Sequence, residues 1–474
     1  MSSPFVHLLR TIYGYYFFDV NTNQIVCVQQ DVYKLLEDIL ARPEQYEDYR
    51  QLEILQPLLN EGLLSDKHVK KIKHSATDRL SLYLNRRMES VTLQVTQQCN
   101  LRCSYCIYSN FNNALQRTHS NKTMSWDVAK RSIDFLMEHS IDNHRVNIAF
   151  YGGEPFLNYK LIKQVVEYIQ ERYSYKTVTY ALTTNGTILT DEIIAFLIDN
   201  NVSMTVSLDG GEEIHDVNRR FAANGKGSYQ AVKRNVEKLV NEHPEYMEIV
   251  PANMVVSATN DYDQINSFHL NKEDLFDHVA INVNQQSNMY SSRKDASIPE
   301  YSEKSAYQKF LALVNALGIV PNVEAYPTAK AEVGSLLSMV ENKVRQAPRT
   351  IELPDEAHPS GPCIAGQHQT LIDVDGNFLP CEKVSELSEA MKIGNVYDGF
   401  NEKQIEALLN VGRLTEDLCK DCWAFVGCIL CVQYAENQNQ LSGAIRAHNC
   451  RIAKNTFEEQ LYTAILIDEL KHCY

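Results

Sequence analysis

The stretch QCNLRCSYC places three thiols close together in the first quarter of the chain. They belong to Cys99, Cys103 and Cys106, which lie four and three positions apart. Clustered cysteines in a reducing compartment more often bind metal than form disulfides. A structural zinc ion and an ordinary iron–sulfur cluster each take four protein ligands. The stretch offers three, so the fourth ligand either comes from elsewhere or is absent for a reason.

The composition is that of a globular protein of the cytoplasm. The 474 residues predict two or three domains, and 44% hydrophobic and 22% charged residues are ordinary values. The net charge of −15 argues against a large phosphate-binding surface, so we expect no nucleic-acid partner. No apolar run reaches the roughly 18–20 residues that span a bilayer, and the N-terminus lacks a signal-peptide pattern. We therefore expect a cytoplasmic protein with no membrane partner.

Residues 1–85 are predicted to form a small domain of their own. Two short strands flank the turn Asn21–Asn23 in GYYFFDVNTNQIVCV, where aromatic and β-branched residues are frequent. Two helical patterns follow, DVYKLLEDILA and YRQLEILQPLLNEGLL, and Gly62 ends the second. A hairpin with two helices predicts a winged helix. Because this domain carries 9 Lys and Arg against 11 Asp and Glu, we expect it to bind a peptide or protein rather than DNA.

From residue 91 onward, strand and helix patterns alternate. The predicted strands are VTLQVT, VNIAFY, TVTYALTT, VSMTVSL, EIVPANMVV and HVAINVN, and the predicted helices include WDVAKRSIDFLMEH, LIKQVVEYIQERY, DEIIAFLID and YQAVKRNVEKLV. Alternation at this spacing predicts βαβ units and a parallel sheet of an α/β fold. Six units are too few for a closed eight-stranded barrel, which leaves an open partial barrel or a doubly wound sheet. In both folds the active groups belong at the carboxyl ends of the strands.

Residues that suit a ligand site follow four successive strands. QCNLRCSYC comes after the first strand, GGEP (residues 152–155) after the second, Asn185 and Gly186 after the third, and Ser207–Gly210 ends the fourth. Each signal alone is weak, because loops after strands are rich in glycine in any such fold. Since the carboxyl ends of parallel strands share one edge, the four together predict one site there.

The spacing C-x3-C-x2-C and the GGEP loop resemble the radical S-adenosylmethionine superfamily, over about residues 90–320. The resemblance implies a partial (βα)6 barrel and a four-iron cluster on Cys99, Cys103 and Cys106 whose remaining iron has no protein ligand. That iron would chelate S-adenosylmethionine, and an electron from the cluster would cleave the cofactor to a 5′-deoxyadenosyl radical. The alternatives are a zinc site completed by a distant histidine and a purely structural cluster.

The same resemblance implies the contacts to S-adenosylmethionine. Gly152 and Gly153 would let the backbone approach closely, since glycine has no side chain, and Glu154 would bind the ammonium group. Tyr105 occupies the aromatic position near the adenine. Contacts to the ribose or the carboxylate are implied for Asn185, Ser207, Asp209 and Arg219. Polar residues also occur at the strand ends of any barrel, which is the alternative explanation for these last four.

A second cysteine group lies between residues 363 and 450. Its seven cysteines follow the pattern C-x12-G-x4-C, then C-x2-C-x5-C-x2-C, then one more after a gap. The pattern resembles the SPASM extension of radical enzymes, which carries two auxiliary iron–sulfur clusters. The matching residues are Cys363, Gly376, Cys381, Cys419, Cys422, Cys428, Cys431 and Cys450. The last spacing is x2 where the family usually has x3, which leaves the cluster served by Cys431 open.

Two four-iron clusters need eight ligands, and this segment has seven cysteines. By the family's interleaved pattern, one cluster is held by Cys419, Cys422, Cys428 and Cys450, and the other by Cys363, Cys381 and Cys431. In the latter cluster one iron has no protein ligand, unless His358 provides it. With the catalytic cluster we expect three [4Fe-4S] clusters. Two zinc ribbons are the alternative, although seven ligands suit neither one zinc ion nor two.

The parts together resemble radical maturases of ribosomally made peptides. The predicted domains are a leader-recognition winged helix (1–85), a radical barrel (86–325) and a SPASM domain (326–474), with the leader of a precursor peptide added as a strand to the hairpin. The chain looks most like maturases that install thioether cross-links in cysteine-rich peptides, the sactipeptides and ranthipeptides. Glu382, next to Cys381, lies where related maturases carry an acidic base, and a solvated loop carboxylate is the alternative. A flavodoxin- or ferredoxin-type protein would supply electrons.

Three other functions fit parts of the sequence. A sulfatase-type maturase that oxidises a cysteine or serine shares the radical and SPASM parts but does not need residues 1–85. A maturase that forms carbon–carbon cross-links is a second alternative. The third is an iron–sulfur redox sensor that binds DNA through a winged helix, and the acidic N-terminal domain and the GGEP loop count against it. Formation of 5′-deoxyadenosine from S-adenosylmethionine would separate the enzymes from the sensor.

Overall fold

The computed structural model describes residues 3–109, 115–270, 280–286, 298–346, 352–359 and 361–473. The N-terminal part consists of β1 (Val6–Arg10), β2 (Tyr15–Asp19), β3 (Gln24–Val28), α1 (Gln30–Ala41), α2 (Gln56–Asn60), β4 (Lys71–Ile72) and α3 (Leu80–Arg86). Strands β1, β2 and β3 form an antiparallel sheet in chain order. The predicted hairpin is therefore confirmed as β2 and β3, and β1 precedes it as a strand that the sequence did not predict.

The prediction that the second pattern of this part forms a single helix is wrong. Residues 49–60 instead form two short 3-10 turns, Tyr49–Gln51 and Glu53–Leu55, followed by the five-residue α2. Pro57 explains the break, because proline has no N–H to donate and is tolerated only in the first turn of an α-helix. Gly62, with a φ of 81°, ends the segment as expected. The winged-helix assignment stays a prediction.

Six parallel strands form the centre of the molecule. They are β5 (Ser90–Thr96), β6 (Arg145–Gly152), β7 (Thr177–Thr184), β8 (Ser203–Ser207), β9 (Ala252–Val256) and β10 (Ile281–Gln285). All six strand patterns are confirmed within a few residues, although the first two residues of HVAINVN lie outside the described ranges. The strands lie in the sheet in chain order. Since right-handed crossovers then place every helix on the same face, this order favours the partial barrel over a doubly wound sheet.

Helices cover the outer face of these strands. They are α4 (Trp126–His139), α5 (Tyr159–Arg172), α6 (Asp191–Asp199), α7 (Glu212–Asn218), α8 (Tyr229–Glu242), α9 (Pro244–Met247), α10 (Tyr262–Ile265), α11 (Ser267–Leu270), α12 (Pro299–Ala316) and α13 (Pro327–Val340). Val91, Leu93 and Val95 of β5 belong to the same buried core as residues of α4 and α5. Within the described residues, no helix is long and apolar enough to cross a membrane.

The C-terminal part continues the central sheet. Its elements are β11 (Glu356–Ala357), β12 (Leu371–Ile372), β13 (Asn377–Leu379), β14 (Gly394–Asn395), β15 (Gly399–Phe400), α14 (Glu402–Leu409), α15 (Glu416–Lys420), β16 (Glu436–Asn437), β17 (Gln440–Leu441) and α16 (Gly443–Cys473). Strand β12 pairs in parallel with β5, and β13 to β15 add antiparallel strands. The predicted domain limits stay predictions, and the sheet extends from the second predicted domain into the third.

The N-terminal sheet packs against the C-terminal cysteine region. Phe5, Leu9 and Phe18 share a buried core with residues of α16 and of the loop before it. The His7 ring also stacks on Trp423, with ring centroids 3.6 Å apart. Burial of this apolar surface holds the two regions together, although they are far apart in the sequence.

Candidate cofactor site and cysteine groups

The loop after β5 carries the first three thiols at the carboxyl end of the parallel strands. The pKa of Cys99 is raised to about 11 and that of Cys103 to about 12, mainly by burial, and nearby thiols contribute to both values. The Leu101 N–H donates to Cys99 Sγ at 3.4 Å, and the Arg102 guanidinium donates to the Cys99 carbonyl at 2.8 Å. The structure thus brings Cys99, Cys103 and Cys106 together, as the sequence predicts.

Two glycines lie against this thiol loop. Gly152 ends β6, and the N–H of Gly153 donates to the Thr96 carbonyl at 3.1 Å. A Cβ atom on Gly153 would lie only 2.1 Å from the Gln98 carbonyl oxygen and 2.8 Å from Cys99 Cβ. Backbone atoms cannot yield by that much in a close-packed interior. Glycine at position 153 is therefore required for the approach of the GGEP loop to the thiol loop.

Glu154 lies behind the cofactor site and is fully buried. Its carboxylate accepts hydrogen bonds from the Asn185 N–H at 2.7 Å, the Thr184 hydroxyl at 2.8 Å and the Phe156 N–H at 3.2 Å. Burial raises the pKa of Glu154 to about 7, in spite of these three hydrogen bonds, which lower it. The carboxylate therefore connects the GGEP loop to the end of β7. Its contact with a cofactor ammonium group stays a prediction.

Asn185 connects the end of β7 to the thiol loop. Its side-chain amide donates to Asn100 Oδ1 at 2.8 Å, and the amide nitrogen lies 4.0 Å from Cys99 Sγ. Its Oδ1 accepts the Thr187 N–H at 3.0 Å, which fixes the orientation of the side chain. Asn185 is thus held beside the first thiol, where the sequence analysis placed a cofactor contact.

Tyr105, Asp209 and Arg219 form one buried hydrogen-bonded group. The Asp209 carboxylate accepts from Arg219 Nε at 2.8 Å, from Arg219 Nη2 at 3.1 Å and from the Tyr105 hydroxyl at 2.5 Å. The Val255 N–H donates to the same carboxylate at 3.0 Å. The side chains of Arg219 and Asp209 are 7% and 0% exposed, and two buried charges are tolerated only as a pair. The Asp209 carboxylate is therefore fully engaged in hydrogen bonds that hold the side chains of Arg219 and Tyr105 in place.

A cavity of about 340 Å³, here called the thiol cavity, lies beside the three thiols. The predicted site residues that line it are Cys99, Cys103, Tyr105, Cys106, Gly152, Gly153, Asn185, Ser207 and Arg219. Glu154 and Asp209 are not among its lining residues. The volume is that of a pocket for one small-molecule ligand. Three thiols facing such a cavity fit an iron–sulfur cluster that presents an open iron to a cofactor.

Among the lining residues of the thiol cavity that were not predicted, three carry an aromatic or imidazole ring. They are Tyr108, His119 and Tyr151. His119 Nε2 lies 3.8 Å from Cys106 Sγ, and burial lowers the His119 pKa to about 4, so the ring is neutral at pH 7. His119 lies in no motif, and only the fold brings it to the thiols. Tyr151 could have been found from the sequence, since it is the last residue of the predicted strand VNIAFY and directly precedes GGEP.

A second cavity, of about 320 Å³ and here called the barrel cavity, lies inside the partial barrel. Its lining is mostly small and polar, with Thr92 of β5, Asn147 of β6, and Ser203 and Thr205 of β8 contributing to it. Tyr151 and Thr183 line both cavities, so the two are adjacent.

Glu382 lines the barrel cavity, where Gln369 donates a hydrogen bond to its carboxylate. The same carboxylate lies close enough to Tyr151 to contribute to the raised pKa of that phenol, which burial raises most strongly. The structure thus brings Glu382 to the inside of the barrel, near the wall that the two cavities share. Its role as a base stays a prediction.

A buried ion pair joins the loop after the first thiols to the chain after Cys381. Arg117 Nε donates to Glu386 at 2.5 Å, and the side chains are 9% and 4% exposed. The Gln94 amide donates to Glu386 at 2.7 Å, and the Arg117 guanidinium lies 3.9 Å above the Tyr108 ring. This link fixes the position of the C-terminal cysteine region relative to the thiol cavity.

Three of the later cysteines form the first auxiliary group, Cys363, Cys381 and Cys431. The pKa of Cys381 is raised to about 12, mainly by burial, with contributions from Glu382, Cys431 and Cys363. The pKa of Cys363 is raised by burial and then by Cys431. The three thiols therefore lie near one another and near Glu382, which is the grouping expected from the sequence.

The other four cysteines form the second auxiliary group, Cys419, Cys422, Cys428 and Cys450. They line one cavity of about 120 Å³. Burial raises the pKa values of Cys422, Cys428 and Cys450, and each is raised further by Cys419. The interleaved division of the seven cysteines is thus present in the fold. Among the described residues, no three His, Cys, Asp or Glu side chains converge in the arrangement of a single bound metal ion.

Both ring nitrogens of His358, the alternative eighth ligand, form hydrogen bonds with the backbone. Its Nδ1 donates to the Pro359 carbonyl at 2.8 Å, and its Nε2 accepts the Gly412 N–H at 2.8 Å. The ring is buried, and burial lowers its pKa to about 4. His358 would have to break a buried hydrogen bond before either nitrogen could bind a metal. The structure therefore does not bring His358 to the first auxiliary group as a free ligand.

Comparison with known proteins identifies the central part of the chain. Residues 93–265 match the sequence profile of the Radical SAM superfamily. The chain is 29% identical over 168 residues to a cysteine-type anaerobic sulfatase-maturating enzyme of Clostridium novyi, covering 34% of this chain and 43% of that enzyme. It is 25% identical over 255 residues to the antilisterial bacteriocin subtilosin biosynthesis protein AlbA of Bacillus subtilis, covering 50% of this chain and 51% of AlbA. These matches span about half of each relative.

The fold is also that of a solved structure. The protein anSMEcpe with bound AdoMet superimposes with a TM-score of 0.56 and 19% sequence identity, over 81% of this chain and 99% of anSMEcpe. The same protein with bound AdoMet and a Kp18Cys peptide gives a TM-score of 0.54 and 18% identity, over 79% of this chain and 98% of that one. At this level of identity the superposition establishes the fold alone.

Proposed function

We propose, from the premise that residues 93–265 form a radical SAM domain, that this protein is a maturase of a ribosomally made, cysteine-rich peptide. Its reaction would join a cysteine sulfur of the peptide to a carbon of another residue as a thioether. The similarity to a sulfatase-maturating enzyme and to AlbA supports action on a peptide or protein. The thioether chemistry rests on the arrangement of the two cavities and the first auxiliary group.

The observation that carries this proposal is that the thiol cavity and the barrel cavity meet at Tyr151 and Thr183. The thiol cavity, at about 340 Å³, has room for one cofactor. A peptide side chain would then occupy the barrel cavity, on the other side of Tyr151. Glu382 lines that cavity and also lies near Cys381. A substrate cysteine in this position would have the Glu382 carboxylate beside it, one residue along the chain from Cys381.

When bound on a four-iron cluster, S-adenosylmethionine would supply the carbon radical that removes a hydrogen atom from the peptide. Cys99, Cys103 and Cys106 would hold that cluster, and Arg219 and Tyr105 would orient the cofactor from their hydrogen bonds to Asp209. Glu382 would accept the proton of the substrate thiol. The first auxiliary group, with three thiols for four irons, would leave a place for the sulfur. Proximity would then favour a bond between that sulfur and the carbon radical, and the one electron left over would pass to an iron–sulfur cluster held by the first auxiliary group.

The N-terminal sheet would bind the leader of the precursor peptide. In the order β1-β2-β3, strand β3 is an edge strand, and an edge offers unpaired N–H and C=O groups to an added strand. Its residue Cys27 is exposed to solvent. Because the sheet packs on the C-terminal cysteine region through Phe5, Leu9 and Phe18, a bound leader would be held at a fixed distance from the auxiliary groups.

The test is to express the protein together with a short cysteine-rich reading frame encoded beside it, and to analyse that peptide by mass spectrometry. A thioether removes two hydrogen atoms, blocks the cysteine from alkylation and suppresses fragmentation between the linked residues. Glu382→Gln should retain 5′-deoxyadenosine formation but lose most of the cross-linking. A peptide whose cysteines all remain free for alkylation, under conditions in which 5′-deoxyadenosine is formed, would contradict the thioether assignment.

A sulfatase-type maturation is the second candidate, and the similarity to the cysteine-type anaerobic sulfatase-maturating enzyme of Clostridium novyi favours it. In that reaction one cysteine or serine of a protein is oxidised and no cross-link forms. The same mass spectra distinguish the two reactions, because an oxidised residue leaves every backbone fragment on both sides of it detectable. The N-terminal sheet supports the peptide maturase over this candidate, since the sulfatase-type reaction does not need it.

A further inference from the structure

Gln369 donates the only hydrogen bond that the Glu382 carboxylate accepts among the described residues. The donor is the side-chain amide of Gln369, and the acceptor is Glu382 Oε2. Both side chains line the barrel cavity, although they come from different segments, one directly before β12 and the other after β13. The second carboxylate oxygen, Oε1, accepts no hydrogen bond within the described ranges. The pair thus presents one engaged and one unengaged oxygen at the wall of the cavity.

The segment that carries Gln369 is fixed on both sides. On one side, the Glu89 carboxylate accepts from the Gln367 amide at 2.6 Å and from His368 Nδ1 at 2.8 Å. The Glu89 N–H also donates to the Gln367 carbonyl at 2.8 Å. On the other side, the Thr370 carbonyl accepts a backbone hydrogen bond from β5 at 2.8 Å. Gln369 is therefore anchored to β5, the strand that leads into the thiol loop.

No other side chain fixes the Glu382 carboxylate within the described part of the chain. Glu382 follows Cys381 directly, and its side chain extends to the barrel cavity. The next residue, Lys383, is exposed and forms no ion pair with Glu382 among the residues that the structure describes. A partly buried glutamate keeps several rotamers unless a contact selects one of them. The contact with Gln369 therefore selects the rotamer in which Glu382 lines the cavity.

We propose that Gln369 is a positioning residue, which holds the Glu382 carboxylate toward a substrate thiol in the barrel cavity. The inference rests on the proposed function, in which Glu382 is the base. In that step the S–H bond of the substrate cysteine breaks, the proton goes to Glu382, and the sulfur keeps the electron pair as a thiolate. A base must lie within hydrogen-bond reach of the proton that it takes. Loss of the Gln369 contact should therefore slow this step rather than weaken peptide binding.

The experiment uses the reconstituted holoenzyme and the cysteine-rich peptide encoded beside it, and measures cross-linked peptide by mass spectrometry. Gln369→Met keeps the length of the side chain and removes the donor. It should lower kcat for cross-linking about 10- to 100-fold and leave KM for the peptide within about 2-fold of the parent value. Iron content and 5′-deoxyadenosine formation without peptide should stay at the parent level, which shows that the variant folds and that its cofactor site is intact.

Gln404→Met is the matched control. The Gln404 amide also donates a hydrogen bond, to the Ala390 carbonyl, but Gln404 is not among the lining residues of either cavity. This control should cross-link the peptide at the parent rate.

A double variant separates positioning from a merely structural role. In Glu382→Gln/Gln369→Met, the second change should add less than about 2-fold to the loss caused by Glu382→Gln alone, because Gln369 acts only through the carboxylate. A structural defect of the segment would instead multiply the two losses. Multiplied losses in the double variant would therefore overturn the positioning role.

A crystal structure of the Gln369→Met holoenzyme tests the geometry without any peptide. The Glu382 side chain should occupy several rotamers there, and a single rotamer identical to that of the parent would overturn the positioning role. Parent-level cross-linking by Gln369→Met, beside a loss in Glu382→Gln, would overturn it as well and leave the base assignment standing. Parent-level cross-linking by Glu382→Gln would refute the base assignment itself, and the positioning role with it. If the parent cross-links no peptide, the proposed function fails, and the crystal structure still decides whether Gln369 holds the carboxylate.

Discussion

The ion pair between Asp209 and Arg219 gives the sharpest test of the cofactor site. Asp209→Asn keeps the size of the side chain and removes its charge. In the parent, the carboxylate accepts four hydrogen bonds, two from Arg219 and one each from Tyr105 and the Val255 N–H. The amide of an asparagine has only one oxygen that can accept hydrogen bonds. Its NH₂ group would lie against N–H or O–H donors, with which it cannot form hydrogen bonds. Arg219, with a side chain only 7% exposed, would then be a buried cation without a counter-charge.

The size of the effect follows from this burial. Breaking a buried ion pair by removing one partner costs about 3–5 kcal/mol. That is a large share of the roughly 5–15 kcal/mol by which folded proteins are stable. The matched control is Asp142→Asn, since Asp142 and Arg86 form a pair of similar length, 2.7 Å, with side chains 33% and 46% exposed. Solvent screens that pair, so its loss should have little effect on stability.

The assay is urea unfolding of the parent and both variants, with the double variant Asp209→Asn/Arg219→Met added. Removing both members of the buried pair should restore part of the stability lost in the single variant, because no unpaired charge is left. S-adenosylmethionine binding should weaken in every variant that changes Arg219, since Arg219 lines the thiol cavity. If Asp209→Asn and Asp142→Asn had the same midpoint, Asp209 would not be holding a buried charge, and the reasoning about this site would be wrong.

Three further predictions concern the cysteine loops and their neighbours. Gly153→Ala should disrupt the thiol loop and lower S-adenosylmethionine binding at least about 10-fold by overpacking, whereas Gly334→Ala, where the new Cβ meets nothing within 4 Å, should not; equilibrium dialysis measures both. Replacing Cys99, Cys103 and Cys106 together by Ala should abolish 5′-deoxyadenosine formation while iron stays bound at residues 363–450, and product at the parent level would refute the assignment. His358→Ala should cost about 1–3 kcal/mol through its lost hydrogen bonds but leave the iron content unchanged, and a loss of iron would make His358 a ligand.

Much of the central fold could be predicted because its signals are local. The strands β5 to β9 are rich in β-branched and aromatic residues, and helices such as α4 and α8 show a strong 3.6-residue apolar period. The expected cysteine groups came from the resemblance to the family's interleaved pattern, and the fold brings the same cysteines together. The second helical pattern failed because its apolar period continues through Pro57, which an α-helix tolerates only in its first turn.

The parts that could not be predicted depend on contacts between distant residues. Strands β12 to β15 have two or three residues each, too few for any period to appear. Tyr108 and His119 line the thiol cavity, and the His119 N–H donates to the Tyr108 carbonyl at 3.0 Å, a contact that no local pattern indicates. The barrel cavity exists because small polar residues such as Thr92 and Ser203 face inward, where a closed barrel would carry bulky ones. The alternation of polar residues in a strand pattern does not show whether those residues face solvent or an internal cavity.

The two groups of later cysteines differ in the charged side chains beside them. Four thiols lie with Arg446, a buried cation that has no carboxylate partner among the described residues. Three thiols lie with Glu382 and Lys383, and both ring nitrogens of His358 are engaged in backbone hydrogen bonds. A fourth thiolate supplied by the protein would add negative charge beside that carboxylate. A neutral substrate thiol avoids this cost, because it can bring its sulfur to the group and pass its proton to Glu382. The missing eighth cysteine is therefore consistent with a group built to receive a sulfur from the substrate.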